Sequence, residues 1–137
     1  MTKYDKGFSL VESLIAVFIL SVGIVAVLQA FPLGTYIQKT AQLSTTALAI
    51  SQGKMEETIS LPYSSILIGT NEEDYGSNSD FPSFRRLTEI SYFDPENPEI
   101  LPESDLGIKK IEITVFWKSH LGILEKEVKI ATLITKK

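Results

Sequence analysis

The chain has 137 residues, a length that allows one domain with a single hydrophobic core. Hydrophobic residues make up 44% of it and charged residues 22%, but the first quarter is far more apolar than the rest. There is no Cys and only one His, which excludes disulfides and Cys-based metal or redox sites and makes most enzyme chemistries a poor fit. The net charge of −4 gives no basis for nucleic-acid binding, and no cofactor is indicated.

An apolar run occupies residues 8–31, after a short polar leader that carries Lys3 and Lys6. As a helix this run covers roughly 36 Å, enough to cross a hydrocarbon core of about 30 Å. The two lysines predict a cytoplasmic N-terminus, and the chain after the apolar run is then expected on the opposite side of the membrane. The only charge in the run is Glu12. A carboxylate in an apolar helix costs about 2.5–3.5 kcal/mol at the helix centre and therefore points to a function.

Two simple interpretations of this run are incomplete. A cleaved secretory signal peptide needs small residues after the run, and the segment around Ala30 and Pro32 offers a poor site. A plain single-pass anchor accounts for the length but leaves Glu12 as a snorkelling carboxylate near the headgroups. Such an anchor would carry a binding module and keep its leader, which is the alternative to processing.

A third interpretation uses all of these features, because Gly7-Phe8-Ser9-Leu10-Val11-Glu12 precedes the apolar run. This segment resembles the cleavage and methylation motif of type IV prepilins. The resemblance implies that prepilin peptidase cuts between Gly7 and Phe8, that the new amino group of Phe8 is N-methylated, and that Glu12 acts in assembly. It further implies a structural subunit of the bacterial inner membrane that joins other pilin or pseudopilin subunits through their N-terminal helices, and not an enzyme.

The chemistry of Glu12 and the Phe8 amino group supports this interpretation. Cleavage creates an ammonium at Phe8, with an ordinary pKa near 7.7–8.0. In a bundle of packed apolar helices, an ammonium and a carboxylate are each costly unless they are paired. We therefore expect Glu12 of one subunit to pair with the Phe8 ammonium of a neighbour, which would fix the register of the helices.

The helical pattern continues over residues 35–61, and Pro62 ends it. Together with the apolar run, this predicts one long helix over residues 8–61. Pro32, with Gly34 nearby, is predicted to kink or locally unwind it, because proline removes a backbone donor and crowds the preceding turn. An apolar stripe on this part of the helix is predicted to pack on the globular head formed by residues 62–137. The residues of the stripe are Ile37, Ala41, Leu48, Met55 and Ile59.

Residues 62–107 are rich in proline and acidic residues. The cluster Glu72-Glu73-Asp74, with Asp80 close by, lacks the ligand spacing of an EF-hand, so a solvated acidic loop is favoured over a calcium site. Residues 85–93 are rich in strand-forming types and are predicted to be the first strand.

The last thirty residues predict an antiparallel hairpin. Apolar residues alternate with polar ones from Ile111 to Trp117 and again from Val128 to Ile134, with a short turn around His120. The apolar face must be covered, and the amphipathic part of the helix is the expected partner. His120 is interpreted as an exposed turn residue and not as a catalyst. The fold class is therefore α+β, with a long N-terminal helix packed on a small antiparallel sheet.

The hairpin, with Trp117 ending its first strand, also looks like the minor pilins of the type IV pilus modification class. It looks equally like the I-type minor pseudopilins of type II secretion, and residues 47–57 resemble the helix of both. The expected organisation is a leader (residues 1–7), a membrane and assembly helix (8–31), an amphipathic extension (32–61) and a head (62–137). The sequence leaves open whether the filament is a pilus, a secretion pseudopilus or a DNA-uptake fibre.

Overall fold

A computed structural model describes Gly7, residues 9–119 and residues 124–136. The elements are a helix α1 (Leu10–Ile59), a short 3-10 helix (Tyr63–Ser65) and four strands. The strands are β1 (Gly69–Glu73), β2 (Phe84–Tyr92), β3 (Ile108–Lys118) and β4 (Glu125–Thr135). The chain forms two compact units, the first ending at Gln38 and the second beginning at Lys39, so α1 contributes to both. The predicted α+β class is confirmed.

The first unit is an apolar helix with all of its described residues exposed. An 18-residue window of α1 has a mean hydropathy of 2.7 and is unburied; by length and composition this helix can cross a membrane. The helix continues through Pro32, so of the two outcomes predicted there, a kink or local unwinding, the unwinding does not occur. Proline removes a single helical hydrogen bond, and the turns on either side carry the helix past it. A bend at Pro32 stays a prediction.

The second unit contains one sheet with the strand order β1-β2-β3-β4, in which every neighbouring pair is antiparallel. The predicted hairpin is confirmed as β3 and β4, with Ile113 opposite Ile130. The hairpin's last described hydrogen bond runs from the Ser119 amide to the Leu124 carbonyl, at 2.8 Å. His120, interpreted above as a turn residue, lies outside the described residues.

The core lies between α1 and the face of the sheet that β3 dominates. Every second residue of β3 from Ile111 to Trp117 is at most 3% exposed. Ala47, Ile50 and Met55 of α1 belong to the same core cluster. Half-buried apolar residues of β4, such as Val128 and Ile130, extend it. The period-2 alternation in the sequence therefore corresponds to a sheet with one covered face.

The helix face that packs on the sheet differs from the predicted stripe. Of the predicted residues only Met55 is buried, while Leu48 is 38%, Ile59 47% and Ile37 57% exposed, and Ala41 is also exposed. The buried positions of α1 are Ala47, Ile50, Ser51, Met55 and Thr58. Apart from the adjacent pair Ile50 and Ser51, these residues lie three or four positions apart, so the helical period was correct, but the predicted stripe shares only Met55 with the buried face.

Buried hydroxyl residues explain part of this error, although the apolar residues Ala47 and Ile50 were also missed. Ser51 is fully buried and its hydroxyl donates to the Leu48 carbonyl at 2.8 Å, while the buried Thr58 donates to the Lys54 carbonyl at 2.8 Å. A hydroxyl that is satisfied by its own helix can enter a core without an unpaired polar group. A stripe chosen by apolar side chains alone passes over such positions.

The acidic segment also differs from its prediction, because Glu72 and Glu73 lie in strand β1 and not in a loop. Glu73 is opposite Arg86 on β2, and the two side chains form an ion pair. The predicted first strand, at residues 85–93, is present as β2 and is the second strand. Opposite charges on facing strands stabilise the pairing of the strands, and the strand propensities of the individual residues did not reveal this.

Across residues 9–119 and 124–136, no cluster of three or more His, Asp or Glu could hold a metal.

Candidate assembly site at the helix N-terminus

Ser9 caps the start of α1. Its hydroxyl oxygen accepts a hydrogen bond from the backbone amide of Glu12 at 3.2 Å, and its carbonyl accepts the first helical bond from Ser13 at 3.1 Å. Serine is a preferred N-cap because it satisfies one of the backbone donors left free at a helix start. A serine followed three residues later by glutamate is also the sequence signature of a capping box. This part of the site was missed in the sequence, although the signature was present.

Glu12 lies in the first turn of α1, near the positive end of the helix dipole. It is the only formal charge between Ser9 and Gln38. The apolar side chains around it are exposed, with Leu10 at 80%, Val11 at 66% and Leu14 at 65%. In a membrane or a helix bundle these side chains would be covered by other apolar groups. The Glu12 carboxylate would then be the charged group on this surface, and it would need a counter-charge or a hydrogen-bond donor.

The other predicted site residues are only partly described. Gly7 is exposed, and a Cβ built on it would contact nothing within 4 Å. Phe8, predicted to carry the cut and the methyl group, lies outside the described residues, as do Lys3 and Lys6 of the leader. The structure therefore places Gly7 and Glu12 on either side of Ser9, and the roles of Gly7, Phe8, Glu12 and Pro32 stay predictions.

An ionic network braces the outer face of the head, where there are no disulfides. Arg85 on β2 binds Glu72 on β1 at 2.7 Å and Glu125 on β4 at 3.1 Å, and its guanidinium lies 3.9 Å from the ring centre of Phe116. The Tyr75 hydroxyl donates to Glu125 at 2.7 Å. The hydrogen bonds to Glu125 and Glu72 raise the pKa of Arg85, and partial burial together with the bond to Glu125 raises the pKa of Tyr75 to about 12.

A buried lysine joins the end of α1 to the sheet. Lys109 of β3 is 6% exposed, and its ammonium donates to the Ile66 carbonyl at 2.6 Å and to the Tyr63 carbonyl at 3.0 Å. The same ammonium lies 4.2 Å from the ring centre of Tyr63. These contacts satisfy a charge that would be costly to bury alone. They fix the connection that follows Pro62 on the helix-facing side of β3.

Comparison with known families addresses the N-terminus directly. Residues 2–28 match the family model of the prokaryotic N-terminal methylation motif. The motif indicates a prepilin-like chain. The match includes Gly7, Phe8 and Glu12 and reaches well into the apolar helix. No curated protein and no solved structure matches the chain.

The methylation motif indicates a substrate of prepilin peptidase and a structural subunit that assembles with other pilins. With the exposed apolar helix of the first unit, it also fits a membrane-anchored pilin. The arrangement around Ser9 offers a capped helix start and one carboxylate.

Proposed function

We propose that this chain is a minor pilin or pseudopilin subunit of a type IV pilus-like filament. Prepilin peptidase cuts between Gly7 and Phe8 and methylates the Phe8 amino group. Before assembly the N-terminus faces the cytoplasm, and the head lies on the opposite, extracytoplasmic side of the inner membrane. The match of residues 2–28 to the methylation motif carries this proposal.

Assembly rests on the charge of Glu12. After the cut, Phe8 is the first residue and Ser9 the second, so the helix begins almost at the new ammonium. The positive end of the helix dipole disfavours an ammonium there, and a nearby carboxylate offsets this. The Glu12 carboxylate of one subunit therefore pairs with the Phe8 ammonium of its neighbour, in a bundle where both charges are shielded from water. Pro32 bends the helix between the membrane part and the head.

Glu12→Val tests this function. The substitution removes the insertion penalty, so the amount of chain in the membrane should stay the same or rise. Cleavage should persist, because the Gly7–Phe8 bond is outside the substitution. Incorporation into filaments should fall, because the partner ammonium loses its counter-charge in an apolar bundle, a change that costs several kcal/mol. The measurement compares the fraction of chain in sheared filaments with the fraction in membranes.

Ser13→Val is the matched control, since it makes the adjacent position apolar and leaves the carboxylate in place. It should enter filaments as the wild type does. Equal incorporation of wild type and Glu12→Val would contradict the pairing. An unprocessed anchor with a binding module predicts that neither substitution changes location and that no chain enters filaments.

A further inference from the structure

The serine cap of α1 lies two residues after Gly7, on the helix side of the predicted cut. The helix begins at Leu10, and both Gly7 and Ser9 lie outside regular secondary structure. The Ser9 hydroxyl accepts a hydrogen bond from the Glu12 amide at 3.2 Å. A residue that caps a helix in this way has non-helical backbone dihedrals, so the helix does not continue upstream through it. The cap therefore separates α1 from the segment that contains Gly7.

This separation matters for a peptidase. A peptide bond inside a helix has its carbonyl engaged in the helical hydrogen bonds, and the adjacent turns cover it. Proteolytic cleavage favours segments whose backbone is exposed and free of regular structure. Gly7 meets these conditions, because it is exposed and non-helical, and a Cβ built on it would meet no atom of the described chain within 4 Å. The bond that follows Gly7 stays open only if the helix starts after it.

The neighbouring sequence indicates where the helix would begin if the Ser9 cap were lost. Downstream, the next residue with a preferred capping side chain is Ser13, and a start there would leave further amides of the apolar segment unpaired. Upstream, the next such residue is Asp5, and a helix capped there would include Gly7 and Phe8 in its first turn. Loss of the cap in the unprocessed chain therefore favours extension of the helix over the cut.

We propose that Ser9 is a positioning residue for processing, because its cap ends α1 short of the Gly7–Phe8 bond and keeps this bond open to prepilin peptidase. The peptidase hydrolyses the bond with one water, which leaves a carboxylate on Gly7 and an amino group on Phe8. Ser9 acts through the helix start and supplies no catalytic group. The proposal rests on the proposed function, and the match of residues 2–28 to the methylation motif points to the peptidase independently of the cap.

A matched pair of substitutions tests this role. Threonine and valine have nearly the same shape, but only Ser9→Thr keeps a hydroxyl that can cap the helix. Full-length chains in detergent micelles are cleaved by purified prepilin peptidase, and the products are followed by intact mass. Ser9→Thr should be cleaved as the wild type is. Ser9→Val should lower kcat/KM about two- to fivefold, through a higher KM at unchanged kcat, because less of the chain is in the form that the peptidase binds.

A second substitution distinguishes a helix cap from a hydroxyl that the peptidase recognises directly. Adding Asp5→Ala to Ser9→Val removes the upstream cap, so the extended helix loses its start and kcat/KM should return toward the wild-type value. Direct recognition of the hydroxyl predicts no recovery, since Asp5→Ala does not restore it. Asp5→Ala alone should leave kcat/KM of the wild type unchanged, which controls for the charge of the leader.

The conformation itself can be measured without the peptidase. In the unprocessed chain, the carbon-13 NMR shifts of Gly7 and Phe8 should move toward helical values in Ser9→Val and should stay at the wild-type values in Ser9→Thr. Equal kcat/KM for Ser9→Thr and Ser9→Val, a loss that Asp5→Ala does not restore, or unchanged shifts in Ser9→Val would each overturn the positioning role alone. A wild-type chain that the peptidase does not cleave would contradict the proposed function, and the positioning role with it.

Discussion

The hydroxyl of Ser9 and the backbone amide of Glu12 are joined by a hydrogen bond of 3.2 Å. This bond caps α1, which begins at Leu10, three residues after Gly7, and it holds Glu12 in the first helical turn. The position of Glu12 relative to Ser9 is therefore defined by a cap. If Glu12 pairs with a neighbouring subunit, Ser9 is a positioning residue for that pairing.

The first prediction concerns this cap. Ser9→Ala removes the acceptor and should destabilise the first turn by about 1 kcal/mol. Amide hydrogen exchange at Glu12, measured by NMR on the processed chain in detergent micelles, should become several-fold faster. Ser9→Thr keeps a hydroxyl and should exchange as the wild type does. Equal exchange in Ser9→Ala and wild type would show that the cap does not hold the turn.

The second prediction concerns the helix face in the head core. A fragment beginning at Tyr36 should fold alone, because the unit that starts at Lys39 is compact and contains the core. In this fragment Ile50→Ala should lower the free energy of unfolding by about 2–5 kcal/mol, since Ile50 is 8% exposed. Leu48→Ala, on the exposed side, should cost less than about 1 kcal/mol.

Denaturant titration can follow both variants through Trp117, the only tryptophan, which is 3% exposed. Melting should be unaffected by a reductant, because the chain has no Cys. If Leu48→Ala lowers the free energy of unfolding more than Ile50→Ala does, the helix packs through the stripe predicted from the sequence and not through the face described here. A disordered fragment, detected by circular dichroism, would contradict the packing of α1 on the sheet.

The third prediction concerns pH and the Tyr75–Glu125 contact. The hydrogen bond from Tyr75 and the bond from Arg85 lower the pKa of Glu125, and the pKa of Tyr75 is raised to about 12. A lowered carboxyl pKa stabilises the fold above the unfolded pKa, near 4.3, and this contribution is lost as the pH falls through the folded value. A raised tyrosine pKa stabilises the fold below pH 10, and this contribution is lost between about pH 10 and pH 12.

Tyr75→Phe removes the hydroxyl and keeps the ring. Its effect on the free energy of unfolding should be greatest between about pH 5 and pH 10 and should shrink toward both extremes. Urea titrations of the Tyr36 fragment across this range measure the difference from wild type. Tyr92→Phe is the control and should show a smaller change. A Tyr75→Phe effect that is the same at every pH would contradict the contact.

The sequence predicted the fold class, the long helix, β2 and the hairpin, because each has a clear period or an apolar run. It failed for the packed face of α1, where Ser51 and Thr58 are buried by satisfying their hydroxyls within the helix. It also failed for β1, since Glu72 and Glu73 have low strand propensity and are stabilised by Arg85 and Arg86 across the sheet. These ion pairs depend on the register between β1 and β2, which cannot be deduced from the sequence of one strand.

The candidate site could be proposed from the sequence because cleavage and methylation motifs are local, and the roles of its residues stay predictions. Gly7, Phe8 and Glu12 stand at fixed offsets, and the family comparison covers the same residues. The Ser9 cap also has a local signature, a serine three residues before a glutamate, but the sequence analysis did not interpret this pattern as a helix cap.

The central claim is that the chain is a processed prepilin-like subunit, and intact-mass spectrometry tests it most directly. The full-length chain is coexpressed with prepilin peptidase, purified from membranes and weighed. The account predicts loss of residues 1–7 and a mature chain that starts at Phe8 with one methyl group on its amino nitrogen. A peptidase-inactive strain should yield the full-length mass. A chain that keeps residues 1–7 beside an active peptidase, or that is cut near Ala30, would contradict the account.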